Sequence, residues 1–387
     1  MIIYLCLLIP AVAVIALSWI FRKQVTVWER VLVFGVPALA IVISKVVVEK
    51  VQTADTEYWN NYAVTATYYE DWDEWITKTC CSTCYDQCRD SQGHTSSCHP
   101  HDCNCHDCSY REYHPAYWEL DDNGGNTHHI TQGLYSYALQ LWGGNKTFKD
   151  LHRHYYRKDG DAWVTKFDGL FEHIFSVCTK HLYENRVQAS TSVFNFRDVP
   201  KAAVQQYNLF EYPSDNDKFN YVPILGYPDP PAAEKLQRYN AKLGIVKQVH
   251  MMILVFKNQP VDAAFYQEAY WKGGNKNEFI LCLGVNDKKE IQWSQVISWT
   301  QVQDLKIRAA RQAKEMGFNL GMIVDTMATD VSKHFIRKRF RDFSYLSVEP
   351  SSTAIIITFI ITLILTLGLS IYVVRNEYEN DGAEDKK

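Results

Sequence analysis

Eight of the chain's 11 cysteines fall between Cys80 and Cys108, with His94, His99, His101 and His106 interleaved among them. A hydrophobic core does not require that density, so the segment either binds metal or is cross-linked. Two Cys-x2-Cys pairs, Cys81/Cys84 and Cys105/Cys108, stand 20 residues apart. That is the knuckle spacing at which two short loops present four thiolates to a tetrahedral zinc ion. Four thiolates close the coordination shell, which predicts a structural zinc and not a catalytic one. Cys88, Cys98, His101 and Cys103 are enough for a second site. The competing expectation is disulfides among the same eight cysteines, natural in an exported region. Histidine favours zinc, because disulfide modules need no imidazoles, whereas His-x-His-x-Cys-x-Cys-His over 99–106 offers nitrogen and sulfur ligands together.

Other residues with chemical potential are sparser. His128 and His129 are adjacent, and His152 and His154 share one face if His-Arg-His-Tyr-Tyr is extended. With nearby aspartates they define the alternative to a binding protein, a membrane-bound hydrolase of phosphatase-like or metal-assisted type; histidines that simply face water are the plainer reading. No Ser/His/Asp nucleophile signature, phosphate-binding P-loop or His-Glu-x-x-His motif occurs. No catalytic residue is therefore assigned, and the chain leans away from an enzyme. Trp271-Lys-Gly-Gly-Asn-Lys-Asn-Glu could hold an anion against backbone amides with Lys272 and Lys276; a Gly-Gly turn with solvated lysines is the simpler expectation. Tyr58, Trp59, Tyr62, Tyr68, Tyr69, Trp72 and Trp75 crowd one segment, either as a ligand platform or, more economically, as strand and core packing.

The elements that must position these groups begin with the membrane. Met1 to Phe21 is an uncharged run of 21 residues, and Val31 to Val48 is apolar apart from Lys45, which can snorkel to the interface. Only nine residues separate the runs, which predicts a transmembrane helical hairpin over 1–50. Thr353 to Val374 adds 22 residues without a charge, followed by Arg375 and an acidic tail over 375–387. Three spans make a multi-pass protein with the lipid bilayer as its first partner, and they put region 50–350 on the side opposite the hairpin loop and the tail. Arg22, Lys23 and Arg30 in the short loop favour an exported central region, against Lys45, Lys50, Arg337, Lys338, Arg339 and Arg341 on the other side. The balance leans outward, and the Asn145-Lys146-Thr147 sequon fits export. With 40 Lys+Arg against 44 Asp+Glu, a basic nucleic-acid binder is excluded.

Between the anchors, two modules are expected. Residues 51–230 read as an irregular, aromatic, β-rich module in which the cysteine segment 80–108 is an insertion between two strands, its ends held together by Cys80 or Cys81 and Cys108. After Tyr227-Pro-Asp-Pro-Pro the pattern changes, over 231–345, to a small α/β module. Gln248 to Phe256 and Glu278 to Val285 read as apolar strands, as strands covered by helices on both faces must be. Helices follow at 303–316 and 322–342, the last carrying Lys333, His334, Arg337, Lys338, Arg339 and Arg341, suited to anionic lipid. The order of strand, helix ending in Trp271, Gly/Asn loop and Phe279-Ile-Leu-Cys-Leu-Gly-Val resembles the TPM domain of membrane-anchored bacterial proteins over residues 235–342. The resemblance implies an α/β fold and either a phosphatase or an assembly role, and no catalytic motif carries over. The overall expectation is a membrane-anchored α+β binding or assembly protein, stabilised by structural zinc, that meets a membrane or peripheral protein partner.

Overall fold

The computed structural model describes residues 2–384 apart from 22–24, 90–94, 152–159, 191–195, 197, 214–217 and 220. A short 3-10 turn leads into α1 (Leu8–Ile20). α2 (Val27–Thr53) begins ahead of the apolar run because Thr26 and Glu29 cap each other: Glu29 N donates to Thr26 Oγ1 at 3.3 Å and Thr26 N donates to Glu29 Oε2 at 2.7 Å. β1 (Ala54–Tyr69) follows α2 without a linker. Its aromatic and β-branched residues suit a pleated, half-buried surface.

β1 pairs antiparallel with a late strand along its first half and with two others along its second. Between them the chain makes an excursion. β2 (Trp72–Ile76), β3 (Thr79–Arg89), β4 (Thr95–Asp107) and β5 (Tyr110–His114) form a two-stranded finger, β2 on β5 at its base and β3 on β4 beyond. β6 (Tyr117–Asp122) then returns to β1, with Tyr69 facing Tyr117, so the cysteine segment is an insertion between paired strands as expected. β7 (Thr127–Ile130), α3 (Gln132–Leu141), β8 (Thr147–Lys149), β9 (Ala162–Lys166) and β10 (Ser176–Glu184) complete a six-stranded sheet, with β10 on the first half of β1 from Ala54↔Glu184 to Tyr62↔Ser176. α3 lays Tyr135 and Ala138 on Ala63, Ala66, Leu120 and Val177.

α4 (Arg186–Ala189), α5 (Lys201–Gln206) and β11 (Ile224–Leu225) lead into the second sheet, ordered β11-β12-β13-β14. α6 (Pro230–Lys247) starts with Asp229 accepting from Ala232 N, and β12 (His250–Lys257), α7 (Asp262–Tyr270) and β13 (Glu278–Val285) form a parallel β-α-β unit. β14 (Ile291–Ile297) is antiparallel to β13. Alternation explains the apolar strands. Met251, Ile253, Val255, Phe279 and Leu281 point toward α6, α8 (Gln303–Met316) and α9 (Leu320–His334), while Met252, Leu254, Phe256, Ile280 and Cys282 meet α7 and the α5 segment.

α9 ends at His334, short of the helix expected to 342. Phe335 turns in against Phe279 while Phe340 and Phe343 bury against Val187 of α4. These are two directions that one continuous helix face does not offer, so Arg337, Lys338 and Arg339 lie on an irregular stretch and Arg341 on a 3-10 turn over Phe340–Phe343. α10 (Ser352–Glu384) packs on α1 and α2, with Leu17, Val33 and Val373 at the centre of the contact. Among the described residues three helices, Ile3–Ile20, Val27–Thr53 and Ser352–Asn376, are long and apolar enough to cross a membrane.

Candidate functional site

Six of the eight clustered cysteines are cross-linked, and the zinc expectation is corrected. Cys80 bonds Cys108, Cys81 bonds Cys105 and Cys84 bonds Cys103. The reason lies in the local backbone. Zinc knuckles are turns, whereas Cys81 and Cys84 lie on the extended strand β3, where residues three apart point to opposite faces and stand about 10 Å apart. Each cysteine instead meets a partner across the ribbon on β4 or just beyond it. Of the second set, Cys103 is in a disulfide and His101 Nδ1 lies 3.4 Å from Asp86 Oδ1. The side chains of Cys88 and Cys98 lie outside the described residues. No group of His, Cys, Asp or Glu among the described residues is placed to hold a metal ion.

The histidines proposed for acid/base work are not gathered either. His128 is buried, its Nε2 at 2.9 Å from Asp122 Oδ2, and this carboxylate also accepts from Asn61 Nδ2, Gly124 N and Asn126 N. Burial alone would raise the Asp122 carboxyl, yet the hydrogen bonds from Asn61, His128 and Asn126 hold it below its ordinary range. The cluster fastens the β6–β7 turn. His129, the next residue along the strand, is exposed beside Glu119 at 3.6 Å. His152 and His154 lie outside the described residues.

The densest polar constellation forms where β1 and β10 meet the loop 271–278 and the segment after α9. Gly273 and Gly274 both have positive φ, and a Cβ at Gly274 would stand 2.5 Å from Glu278 Oε2, so the loop closes tightly only with glycine. The anion this loop holds is its own. Asn275 N donates to Glu278 Oε2 at 2.7 Å, Asn275 Nδ2 donates to Glu278 Oε1 at 3.1 Å, and Tyr212 OH donates to the same carboxylate. Tyr183 OH lies 2.8 Å from Asp55 Oδ2 and 3.0 Å from Asn275 Oδ1, and Asn185 Nδ2 donates to Asp55 Oδ2 at 2.8 Å. Deeper in, Asn277 Nδ2 donates to Tyr58 O and His250 Nδ1 stands 3.0 Å from Asn60 Oδ1. A cleft of about 400 Å³ opens above, lined by Asp55, Tyr58, Asn185, Tyr212, Trp271 and Lys272.

Lys276, expected as a solvated lysine, is buried, with Nζ 4.1 Å from the Tyr183 ring centre and 4.7 Å from that of Phe340. Burial pushes its ammonium down to about 8, with Glu57 pulling the other way. Burial likewise raises the carboxyls of Glu57 and Glu278; Arg337 and Lys276 restrain the first, and hydrogen bonds from Tyr212 and Asn275 the second. Burial sends the His250 imidazole down to about 3, so it is neutral near pH 7. These groups are mostly spent on one another, which suits a seam that fastens the two sheets more than a site of proton transfer. One sequence signal pointed here: Glu278 is the only charge in an otherwise apolar strand. Asp55, Glu57, Tyr183 and Arg337 carried none, being ordinary polar residues until the fold gathers them. No family model, curated protein or solved structure matches the chain.

Proposed function

We propose that this is a membrane-anchored binding or assembly protein whose two modules act as one rigid body at one bilayer face and whose disulfide-stapled finger meets a protein partner. The observation that carries the reading is the finger itself. β3 and β4 are 11 and 13 residues long and are stapled by two disulfides between them and a third from Cys80 to Cys108 just beyond β4. At the base Trp72 is buried, its ring stacked on His114 across the β2–β5 pair at 4.2 Å and so close to Gly160 of the body that a Cβ there would stand 2.6 Å from Trp72 Cδ1. One face of β2 and β5 carries Trp75 opposite Arg111 and Tyr113 opposite Asp73, with Trp75 52% and Tyr113 60% exposed. Aromatic and arginine side chains on a preorganised ribbon are the residue types that dominate protein interfaces.

The same disulfides support an exported central region, since they persist in oxidising compartments, in line with the basic hairpin loop on the cytoplasmic side. The TPM likeness stays within this reading for the order of elements from β12 to β14 alone, on the assembly side of that family. The hydrolase alternative loses support because His128 is spent on a turn and His129 faces solvent.

The test is site-specific photo-crosslinking in intact cells from a benzoylphenylalanine at Tyr113, compared with Lys288 on the distant β13–β14 turn. The reading expects a discrete adduct from position 113, none from 288, and loss of the adduct in Trp75→Ala. Equal adduct patterns from both positions would overturn it.

A further inference from the structure

The junction between the body and the membrane helices carries a second surface. Arg186 Nη2 lies 2.7 Å from Glu49 Oε1, and Glu49 sits four residues, about 6 Å, back from the end of α2. α4 therefore stands beside the last turn of α2 and not beyond it. Glu49 follows directly on the apolar run that ends at Val48, so this depth is that of the headgroups. The chain before α10 is drawn to the same level: Arg186 Nη1 donates to Leu346 O at 3.3 Å, and Val348 bridges Ser190. Phe340 and Phe343 bury against Val187 of α4, which leaves their neighbours Arg339 and Arg341 exposed.

Of the six basic residues expected to meet lipid, Arg337 is withdrawn onto Glu57, Lys338 lies beside Asp342 at 3.5 Å, and Lys333 and His334 belong to the last turn of α9. Arg339 and Arg341 remain. Beside them Tyr345 is 70% exposed, and Leu182, paired with Thr56 about 7 Å along the strand from Ala54, is 81% exposed. Large apolar side chains this open, at the level where spans leave the bilayer, match the aromatic and aliphatic residues that line membrane interfaces.

We propose that Arg339, Arg341, Tyr345 and Leu182 form a face seated in the headgroup layer of the bilayer that the helices span, with the two arginines taking anionic phospholipid. The surface is continuous with the spans, so the inference rests on reading the three helices as membrane-crossing. It fixes the body against the lipid and leaves the finger as the part that reaches away.

The test uses the full chain in nanodiscs, in a Cys88→Ser/Cys98→Ser background, with a bimane placed through Tyr345→Cys, Lys288→Cys or Leu367→Cys. The native free cysteines Cys6, Cys178 and Cys282 are buried. Headgroup nitroxide lipid should quench the label at 345 several-fold more than that at 288, and deep nitroxide lipid should quench the label at 367. Equal quenching at 345 and 288, with 367 quenched, overturns the proposal while the spans stand. An unquenched label at 367 means that the spanning reading itself fails, and takes the proposal with it. Exchanging zwitterionic for phosphatidylglycerol nanodiscs should strengthen quenching at 345, and Arg339→Gln/Arg341→Gln should remove that gain, about fivefold in lipid association for each arginine. A gain that survives the double variant overturns the anionic-lipid assignment.

Discussion

The guanidinium of Arg337 donates to the carboxylate of Glu57, a residue 280 positions earlier in the chain and only 2% exposed. The pair ties the strand that leaves α2 to the segment that leads into α10. Arg337→Met would leave the buried carboxylate with Lys276 as its remaining counter-charge, at a cost of up to about 3–5 kcal/mol. Combining it with Glu57→Gln should recover most of that loss, because a buried amide needs no counter-charge. Unfolding in detergent of the two variants and the parent measures both values, and a single-variant loss below about 1 kcal/mol would mean that solvent screens the pair.

The disulfides make a direct chemical forecast. Protein purified without reductant should yield, on peptide mapping, the links Cys80–Cys108, Cys81–Cys105 and Cys84–Cys103, with zinc far below one per chain. Stoichiometric zinc with free thiols at 81, 84, 105 and 108 would reverse the assignment. Replacing Cys84 and Cys103, which are 19 residues apart, by serine should weaken the finger by about 3 kcal/mol. Its effect belongs to local proteolysis within 79–107, with little change in the rest of the body.

Gly244 of α6 lies against the backbone of β1. A Cβ there would stand 1.9 Å from Asn60 O. In an open helix Gly→Ala gains up to about 1 kcal/mol. Here Gly244→Ala should cost about 1–3 kcal/mol by pushing α6 off the strand. Gly321→Ala in the first turn of α9, where the nearest atom is Asn319 Oδ1 at 3.5 Å, should be neutral or slightly stabilising. Thermal midpoints of the two variants, measured together, check the contrast.

His250 sets an acid sensitivity. Its imidazole is held near 3 by burial, against about 6.5 in the unfolded chain. The folded state thus binds fewer protons than the unfolded one across that window. The stabilisation is fully present above pH 6.5 and is lost as the pH falls toward the folded value, at up to about 1.4 kcal/mol per unit, so about 2 kcal/mol by pH 5. The stability difference between the parent and His250→Gln should therefore shift by that amount from pH 7 to pH 5. A difference that stays constant with pH would show that the imidazole takes up its proton as readily in the folded state as in the unfolded one.

Some elements were legible because the cause is local. β12 and β13 are continuous apolar runs, and α8 occupies the 303–316 expected of it. The three apolar helices and the insertion of the cysteine segment between paired strands follow from run length and from the order of strand and turn residues. The end of α9 was not legible, because Phe340 and Phe343 are drawn to Val187, a residue about 150 positions away in the chain. The polar seam was not legible for the same reason: Asp55, Glu57, Tyr183, Asn275 and Arg337 belong to distant segments, and nothing in composition or spacing announces that they converge.

The cysteines divide the two kinds of information most sharply. By itself the sequence determined that region 80–108 needs chemistry in place of a core, since eight cysteines in so short a polar segment have no other reason to be there. Which chemistry was decided only in three dimensions. Spacing along a chain measures whether ligands lie near one another only if the backbone between them turns. Once β3 and β4 run extended and antiparallel, Cys81 and Cys84 diverge, each finds a thiol across the ribbon, and the geometry that would have gathered four thiolates around one ion is gone.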